Sequence, residues 1–245
     1  MNPDTHTHPS VKRAVLLAAG RGTRMRDLTE SLPKPMLPVQ GKPILEHILT
    51  GLRAAGVSDV LIVVGYRADV VTSHFKDGSA HGLNIHYVTQ VVQDGTGRVV
   101  ELAKNFTGTD PFILSYGDIL IDPENYQRLT KIGHHTALVS VKHNEAEIAK
   151  GGCVVVDAQM ILTDLIEKPA GPPPSPWYNA GVYTFTEAIY AHTAKLERSP
   201  RGEFELTDAI RTLAQETGSV QAVELRGDWA DVRDPEVLAE LNAAR

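Results

Sequence analysis

The stretch LLAAGRGTRMRDLTESLPKPMLPV, Leu16 to Val39, gathers Gly20, Gly22, Arg24 and Lys34 behind a strand-like apolar start. A turn at the two glycines would present backbone N–H groups as an anion-binding concavity. Arg24 can hold phosphate oxygens through two parallel hydrogen bonds, and Lys34 adds a point charge. Pro33 and Pro35 restrict the backbone on either side of Lys34, which predicts an extended, stiffened segment aiming that side chain one way. The chemistry is the binding of a triphosphate. A dinucleotide fingerprint would need a third glycine where Met25 stands and an acidic residue about 20 positions further on, which is missing. A P-loop would need Lys followed by Ser or Thr at a helix start, and no such pair follows these glycines. A tight turn followed by a solvated basic loop would explain the glycines but not the whole combination.

Two further places can carry phosphate chemistry. Asp118 follows the apolar run PFILSYG, so its carboxylate is expected at the carboxyl end of a strand, facing a cleft. An ordinary turn aspartate would look the same. Magnesium held by one or two carboxylates plus substrate phosphates is the common arrangement in such sites. The segment QVVQDGTG, Gln90 to Gly97, reads as a strand end, a glycine turn and a helix start, at the sheet edge where ligands bind in open α/β folds. A Gln amide there offers a donor and an acceptor together. Other residues read as structural. Cys153, in GGCVVV, suits a buried small hydrophobe. His134 and His135 are adjacent, so in a strand they face opposite sides and cannot share a metal. His6 and His8 lie in a polar tail. Asp122 and Asp234 precede helical patterns and are expected to cap them. Tyr66 and Trp177 are candidates for cleft walls, with packing an equal alternative.

The elements that must position these residues alternate through the first half: RAVLLAA, PILEHILTGLRAAG, VLIVVGY, ADVVTSHF, NIHYVTQ, GRVVELAKN and PFILSYGD. Alternation with short loops implies βαβ units and a mostly parallel sheet covered on both faces. In PILEHILTGLRAAG the apolar Ile44, Leu45, Ile48, Leu49 and Leu52 recur at helical spacing, with Gly56 placed to cap the end. The second half reads as strands joined by tight turns, TALVSVKH, CVVVDA, MILTDLIEKP and YNAGVYTFT. Helical patterns return at EAIYAHTAKLE, ELTDAIRTLAQETG and PEVLAELNA. The expected fold class is α/β: a single-domain, Rossmann-like fold with a mixed, mostly parallel central sheet covered by helices on both faces. Residues 1–10 are expected to be a disordered leader and residues 11–245 the domain. About 11–118 should bind the nucleotide and about 119–245 the second ligand.

Composition narrows the ligand. With 42% hydrophobic and 22% charged residues in 245, the chain is an ordinary soluble one. No apolar run approaches the roughly 20 residues of a membrane span, and MNPDTHTHPSVKR has no signal-peptide core, so a cytoplasmic protein is expected. A net charge of −6 without a contiguous basic face argues against a nucleic-acid surface. Any phosphate handled should belong to a small molecule.

The run LAAGRGTRMRDLTESLPKPMLPVQGKPILEHIL resembles the opening signature of the sugar-1-phosphate nucleotidyltransferases, the pyrophosphorylases that make NDP-sugars. Similarity continues to WADVRDPEVL. The resemblance implies the nucleotide-diphospho-sugar transferase fold. It also implies attack of a sugar 1-phosphate oxygen on the α-phosphorus of a nucleoside triphosphate, with pyrophosphate leaving. It places nucleotide contacts at Leu17, Ala18, Ala19, Gly20, Gly22 and Thr23, and base recognition at Gln90, Gly95 and Thr96. The Gln-x4-Gly-Thr-Gly form looks more like the uridylyltransferases than the thymidylyltransferases, so UTP is the first expectation and dTTP the second. Arg98 departs from the small or uncharged residue of relatives. The same resemblance implies Mg2+ on Asp118 and Asp231, the sugar phosphate on Lys168, and sugar contacts at Gly152, Glu167 and Asn179, with Gly181 keeping the floor open. The catalytic set it implies is Arg24, Lys34, Asp118, Lys168 and Asp231.

Gly202 to Asp208 reads chiefly as structural, with Glu203 a marginal cleft contact. The nucleophile is already an anion, so no side chain has to remove a proton, which fits the lack of a Ser-His-Asp or Cys-His pattern. Expected partners are a nucleoside triphosphate and a sugar 1-phosphate, with no nucleic acid and no membrane; a homo-oligomer is left open. The alternatives are a cytidylyltransferase acting on an alcohol or amino-alcohol phosphate, a non-catalytic nucleotide-sensing module, and a nicotinamide-dependent dehydrogenase. The chain ends soon after its last helix, so a hexapeptide-repeat β-helix and acetyl transfer are not expected.

Overall fold

The computed structural model describes residues 10–132 and 135–244. Residues 1–9 and His134 lie outside that range, and with them the expectations for the leader, for His6 and His8, and for the opposed faces of His134 and His135. Among the described residues the chain runs through β1 (Arg13–Leu17), β2 (Pro38–Val39), β3 (Lys42–Pro43), α1 (Ile44–Ala54), β4 (Asp59–Val64), α2 (Ala68–Phe75) and β5 (Asn84–Thr89). It continues through α3 (Thr96–Glu101), α4 (Lys104–Thr107), β6 (Phe112–Tyr116), β7 (Ile119–Ile121), α5 (Pro123–Ile132), β8 (Ala137–Lys142), α6 (Glu145–Ile148) and β9 (Gly152–Val156). The last part comprises β10 (Leu162–Glu167), β11 (Trp177–Phe185), α7 (Ile189–Thr193), α8 (Leu206–Thr217), β12 (Gln221–Glu224), β13 (Trp229–Asp231) and α9 (Pro235–Ala243).

One mixed sheet organises the molecule. Strands β5, β4, β1 and β6 lie side by side and parallel, because helices carry the chain back between them. Strand β11 joins β6 in antiparallel register and also pairs with β8 and β9, so the sheet branches there. Strands β9 and β10 form a hairpin whose turn is braced by Asp157, its Oδ1 accepting from the backbone N–H of Gln159 and Ile161. Side chains alternate across β1. Ala14 and Leu16 enter one core with α1 and α5, while Val15 enters the other with α3, α7 and α8. Helices therefore cover both faces. No helix among the described residues is long and apolar enough to cross a membrane.

Several details differ from the sequence expectations. Gln221–Glu224 is a strand, parallel to β8, which the sequence reading left out. Strands β7 and β13 form a separate antiparallel pair, too short to show a period. GRVVELAKN divides into α3 and α4, and only Ile189–Thr193 of EAIYAHTAKLE is α-helical. The segment around Lys34 is not extended: Lys34–Met36 is a 3-10 turn with Pro35 in its first positions, where the missing proline N–H costs nothing. Asp122 and Asp234 cap α5 and α9 as expected, accepting from the backbone N–H of Glu124 and Val237. Cys153 is fully buried.

Candidate active site

Strand β1 ends at Leu17, and the chain turns through Gly20 and Gly22 before entering a 3-10 segment at Thr23. Gly22 has φ 70, and a Cβ there would lie 2.7 Å from the Cβ of Lys34. Only glycine lets the loop close onto the lysine stem. The far end of this segment is pinned by Tyr66, whose hydroxyl lies 3.0 Å and 2.9 Å from the carbonyl oxygens of Thr29 and Glu30. Tyr66 thus braces the segment that follows the glycine loop rather than walling the cleft. Trp177, the other proposed wall, sits on β11 under the ammonium of Lys142, 4.6 Å from the ring centre.

Lys34 reaches across to Asp118, its Nζ 2.5 Å from Oδ2. Asp118 occupies the turn between β6 and β7, and its carbonyl accepts from the backbone N–H of Val232 at 3.0 Å. The β7–β13 register sets Asp231 opposite Ile119, and the Trp229 indole ties β13 to the Ala180 carbonyl at 3.1 Å. The pairing brings Asp231 close enough to Asp118 for their charges to interact. Burial raises Asp231 to about 6, and the negative charge of Asp118 pushes the same way, against Lys34, Arg233 and Arg24.

The loop before α3 is built against a distant segment. Gly95 has φ 118, and a Cβ on it would lie 2.4 Å from the Phe204 carbonyl oxygen. The Phe204 N–H donates to the Asp94 carbonyl, the Gly97 N–H donates to the Phe204 carbonyl, and the Leu206 N–H donates to Thr96 Oγ1. The guanidinium of Arg98 lies 4.1 Å from the Phe204 ring centre and 3.8 Å from Asp94. That stack gives the unexplained charge of Arg98 a role: it locks the loop to the 199–205 turn.

A cleft of about 490 Å³ opens over these parts. Its walls include Leu17, Ala18, Ala19, Gly20, Gly22, Thr23, Arg24, Lys34, Gln90, Gly95, Thr96 and Asp118. Two halves of the sequence expectation therefore meet at one place. Glu203, the marginal candidate, is also on the wall. Sequence reasoning missed Gln93, Tyr116 and Arg233, which line the cleft as well. Gln93 Nε2 donates to the Ala19 carbonyl at 3.0 Å, fastening the loop before α3 to the glycine loop after β1. For Arg233 there was a signal: in extended backbone it shares a face with Asp231, two residues earlier.

The residues assigned to the sugar form a second group. Gly152, Glu167 and Asn179 are neighbours, since a Cβ on Gly152 would lie 3.0 Å from Asn179 Cβ and 3.6 Å from Glu167 Oε2. Asn179 Nδ2 donates to the Tyr183 hydroxyl at 2.7 Å, and that hydroxyl is 3.4 Å from the hydroxyl of Tyr116 on the cleft wall. Burial pushes the Glu167 carboxyl up, while Arg201, 3.6 Å away, pulls it down. Lys168 stands apart: its backbone N–H donates to the Gly151 carbonyl and its side chain is exposed, outside the cleft wall.

Residues 13–245 match the family model described as nucleotidyl transferase. The chain is 38% identical over 230 residues to the bifunctional protein GlmU of Methanococcus aeolicus, covering 94% of this chain and 53% of that one. It is 34% identical to a glucose-1-phosphate thymidylyltransferase of Streptomyces griseus, covering 94% of this chain and 65% of that one. It is 35% identical to the UTP–glucose-1-phosphate uridylyltransferase AglF of Haloferax volcanii, covering 91% and 92% of the two chains. The chain thus spans about half the length of the GlmU relatives it matches. In fold it is similar to a UDP-glucose pyrophosphorylase solved with UDP-glucose, with a TM-score of 0.87 at 23% identity over 96% of this chain and 98% of that one.

Proposed function

This chain belongs to the nucleotidyl transferase family, and on that premise we propose that it transfers a nucleotidyl group from UTP, with dTTP second, to a sugar 1-phosphate. Relatives named for uridylyl and for thymidylyl transfer to glucose 1-phosphate support both bases. One observation carries the reading: the glycine loop, Arg24, Lys34 and Asp118 line a single cleft that Gln90, Gly95 and Thr96 also enter.

In this reaction a phosphate oxygen of the sugar 1-phosphate forms a bond to the α-phosphorus. The bond from that phosphorus to the bridging oxygen breaks, and pyrophosphate leaves with the electron pair. The attacking oxygen is an anion at neutral pH, so the protein's task is placement and charge neutralisation. The loop N–H groups and Arg24 hold the triphosphate, and Arg24 and Lys34 take up charge as pyrophosphate departs. Gln90 pairs its amide with an imide edge of the base. Glu167 and Asn179 orient the sugar, and we keep Lys168 as a ligand of its phosphate.

Asp118 and Asp231 fit a divalent cation. Their mutual repulsion and the burial of Asp231 are what a bound cation relieves, and two carboxylates completed by substrate phosphates are a typical magnesium set. Bound Mg2+ would supply neutralisation of the two phosphates as they approach.

The reading is tested by pyrophosphate release from wild type, Arg24→Ala and Asp118→Asn. Each substitution should lower the rate by about a hundredfold or more with the fold retained. Near-full release from both variants would overturn the assignment.

A further inference from the structure

Arg233 is a cleft residue with no place in the reaction as derived above. It follows β13 by two positions, its backbone N–H donates to the Asp231 carbonyl at 2.7 Å, and its charge acts on the Asp231 carboxylate. Its guanidinium is anchored twice. Nη1 lies 2.8 Å from Glu147 Oε2, and Nε lies 3.5 Å from Asp234 Oδ2. Both anchors are themselves fixed: Glu147 belongs to α6, whose Asn144 cap accepts from the Glu147 N–H, and Asp234 caps α9. Lys150 adds a 2.7 Å contact to Glu147. The Nη2 group makes no hydrogen bond among the described residues. A planar guanidinium held this way presents its remaining donors in a fixed direction, and a phosphate is the ligand that such a fork matches.

Which phosphate is decided by position. Arg24, Lys34 and the glycine loop bring their donors from the β1 side, where the donor triphosphate is cradled. Arg233 is instead anchored to α6, which leads directly into β9 at Gly152, the neighbour of Asn179 and Glu167 in the group assigned to the sugar. Lys168, the expected ligand of the sugar phosphate, is outside the cleft wall.

We propose that Arg233, held by Glu147, binds the phosphate of the acceptor sugar 1-phosphate. This rests on the nucleotidyl-transfer reading. It makes Glu147 a positioning residue, and it makes α6 the element that links acceptor recognition to the carboxylate pair.

The test is steady-state kinetics of pyrophosphate release with UTP and glucose 1-phosphate as probes, on wild type, Arg233→Ala, Arg233→Lys and Glu147→Gln. Arg233→Ala should raise KM for glucose 1-phosphate about tenfold or more while KM for UTP moves by less than about twofold. Added guanidinium ion should restore part of the loss in Arg233→Ala, Arg233→Lys should recover part of it, and Glu147→Gln should show a smaller shift of the same kind. A rise in KM for UTP alone would hand Arg233 to the donor and overturn the proposal. Unchanged kinetics would overturn it too, as would a uniform loss with lowered thermal stability and no rescue by guanidinium, which marks a structural role. A wild-type protein inactive with every nucleotide and sugar phosphate tried would instead overturn the nucleotidyl-transfer reading, and the Arg233 proposal with it.

Discussion

At Asp231, burial and the neighbouring charge of Asp118 raise the carboxyl from 3.8 to about 6. The folded protein therefore holds that proton more tightly than the unfolded chain does, and this residue's contribution to stability falls as pH rises through that window. Glu147 acts in the opposite sense, since Lys150 and Arg233 hold it down to about 2, and its contribution is lost only as pH falls toward that value. Comparison with a variant isolates the first effect. Asp231→Asn should be more stable than wild type at pH 7 by about 2 kcal/mol, and the difference should vanish near pH 4. Urea unfolding at the two pH values checks this, and equal stability of the two proteins at both would contradict the placement of Asp231. If the pair takes a divalent cation, Mg2+ at pH 7 should also raise the melting temperature of wild type and leave that of Asp231→Asn unchanged.

The element we assign to base recognition is the loop before α3, and its geometry depends on Gly95 lying close against Phe204. Gly95→Ala puts a methyl group where only hydrogen fits, at a backbone angle that disfavours any side chain. It should cost about 2–4 kcal/mol and raise KM for UTP more than KM for the acceptor, read by thermal melting and initial rates. Arg98→Ala, which removes the stack on Phe204 and the contact to Asp94 but leaves the backbone strap in place, should weaken UTP binding to a smaller degree. The elements of the first half were legible in the sequence because burial on both faces writes itself as apolar runs, and α1 because its five apolar positions keep a helical period. The glycine cradle was legible from residue type alone. What stayed hidden was built from long-range contact: the strap of Phe204 on Gly95, the partner of Arg98, and the β7–β13 pair, whose three-residue strands carry no period. The turn at Lys34 was misread because proline suits both an extended segment and the first position of a turn.

Across the whole molecule, β6 and β11 join a parallel half that holds the glycine loop to a branched half that holds Glu167 and Asn179. We assign the nucleotide to about residues 11–118 and the sugar phosphate to about residues 119–245, a division the continuous sheet spans without a linker. Arg233 and Asp231 return from the far end of the chain to the edge between the halves, and it is there that we place the meeting of acceptor and donor. The most direct test of that arrangement is a product assay by mass spectrometry. The chain is incubated with Mg2+ and each of UTP, dTTP, CTP, GTP and ATP against several sugar 1-phosphates. Formation of an NDP-sugar with equimolar pyrophosphate, strongest with UTP and requiring the sugar 1-phosphate, is the expected result. Pyrophosphate or nucleoside monophosphate released without an NDP-sugar, or product formed only with an alcohol phosphate and CTP, would contradict it.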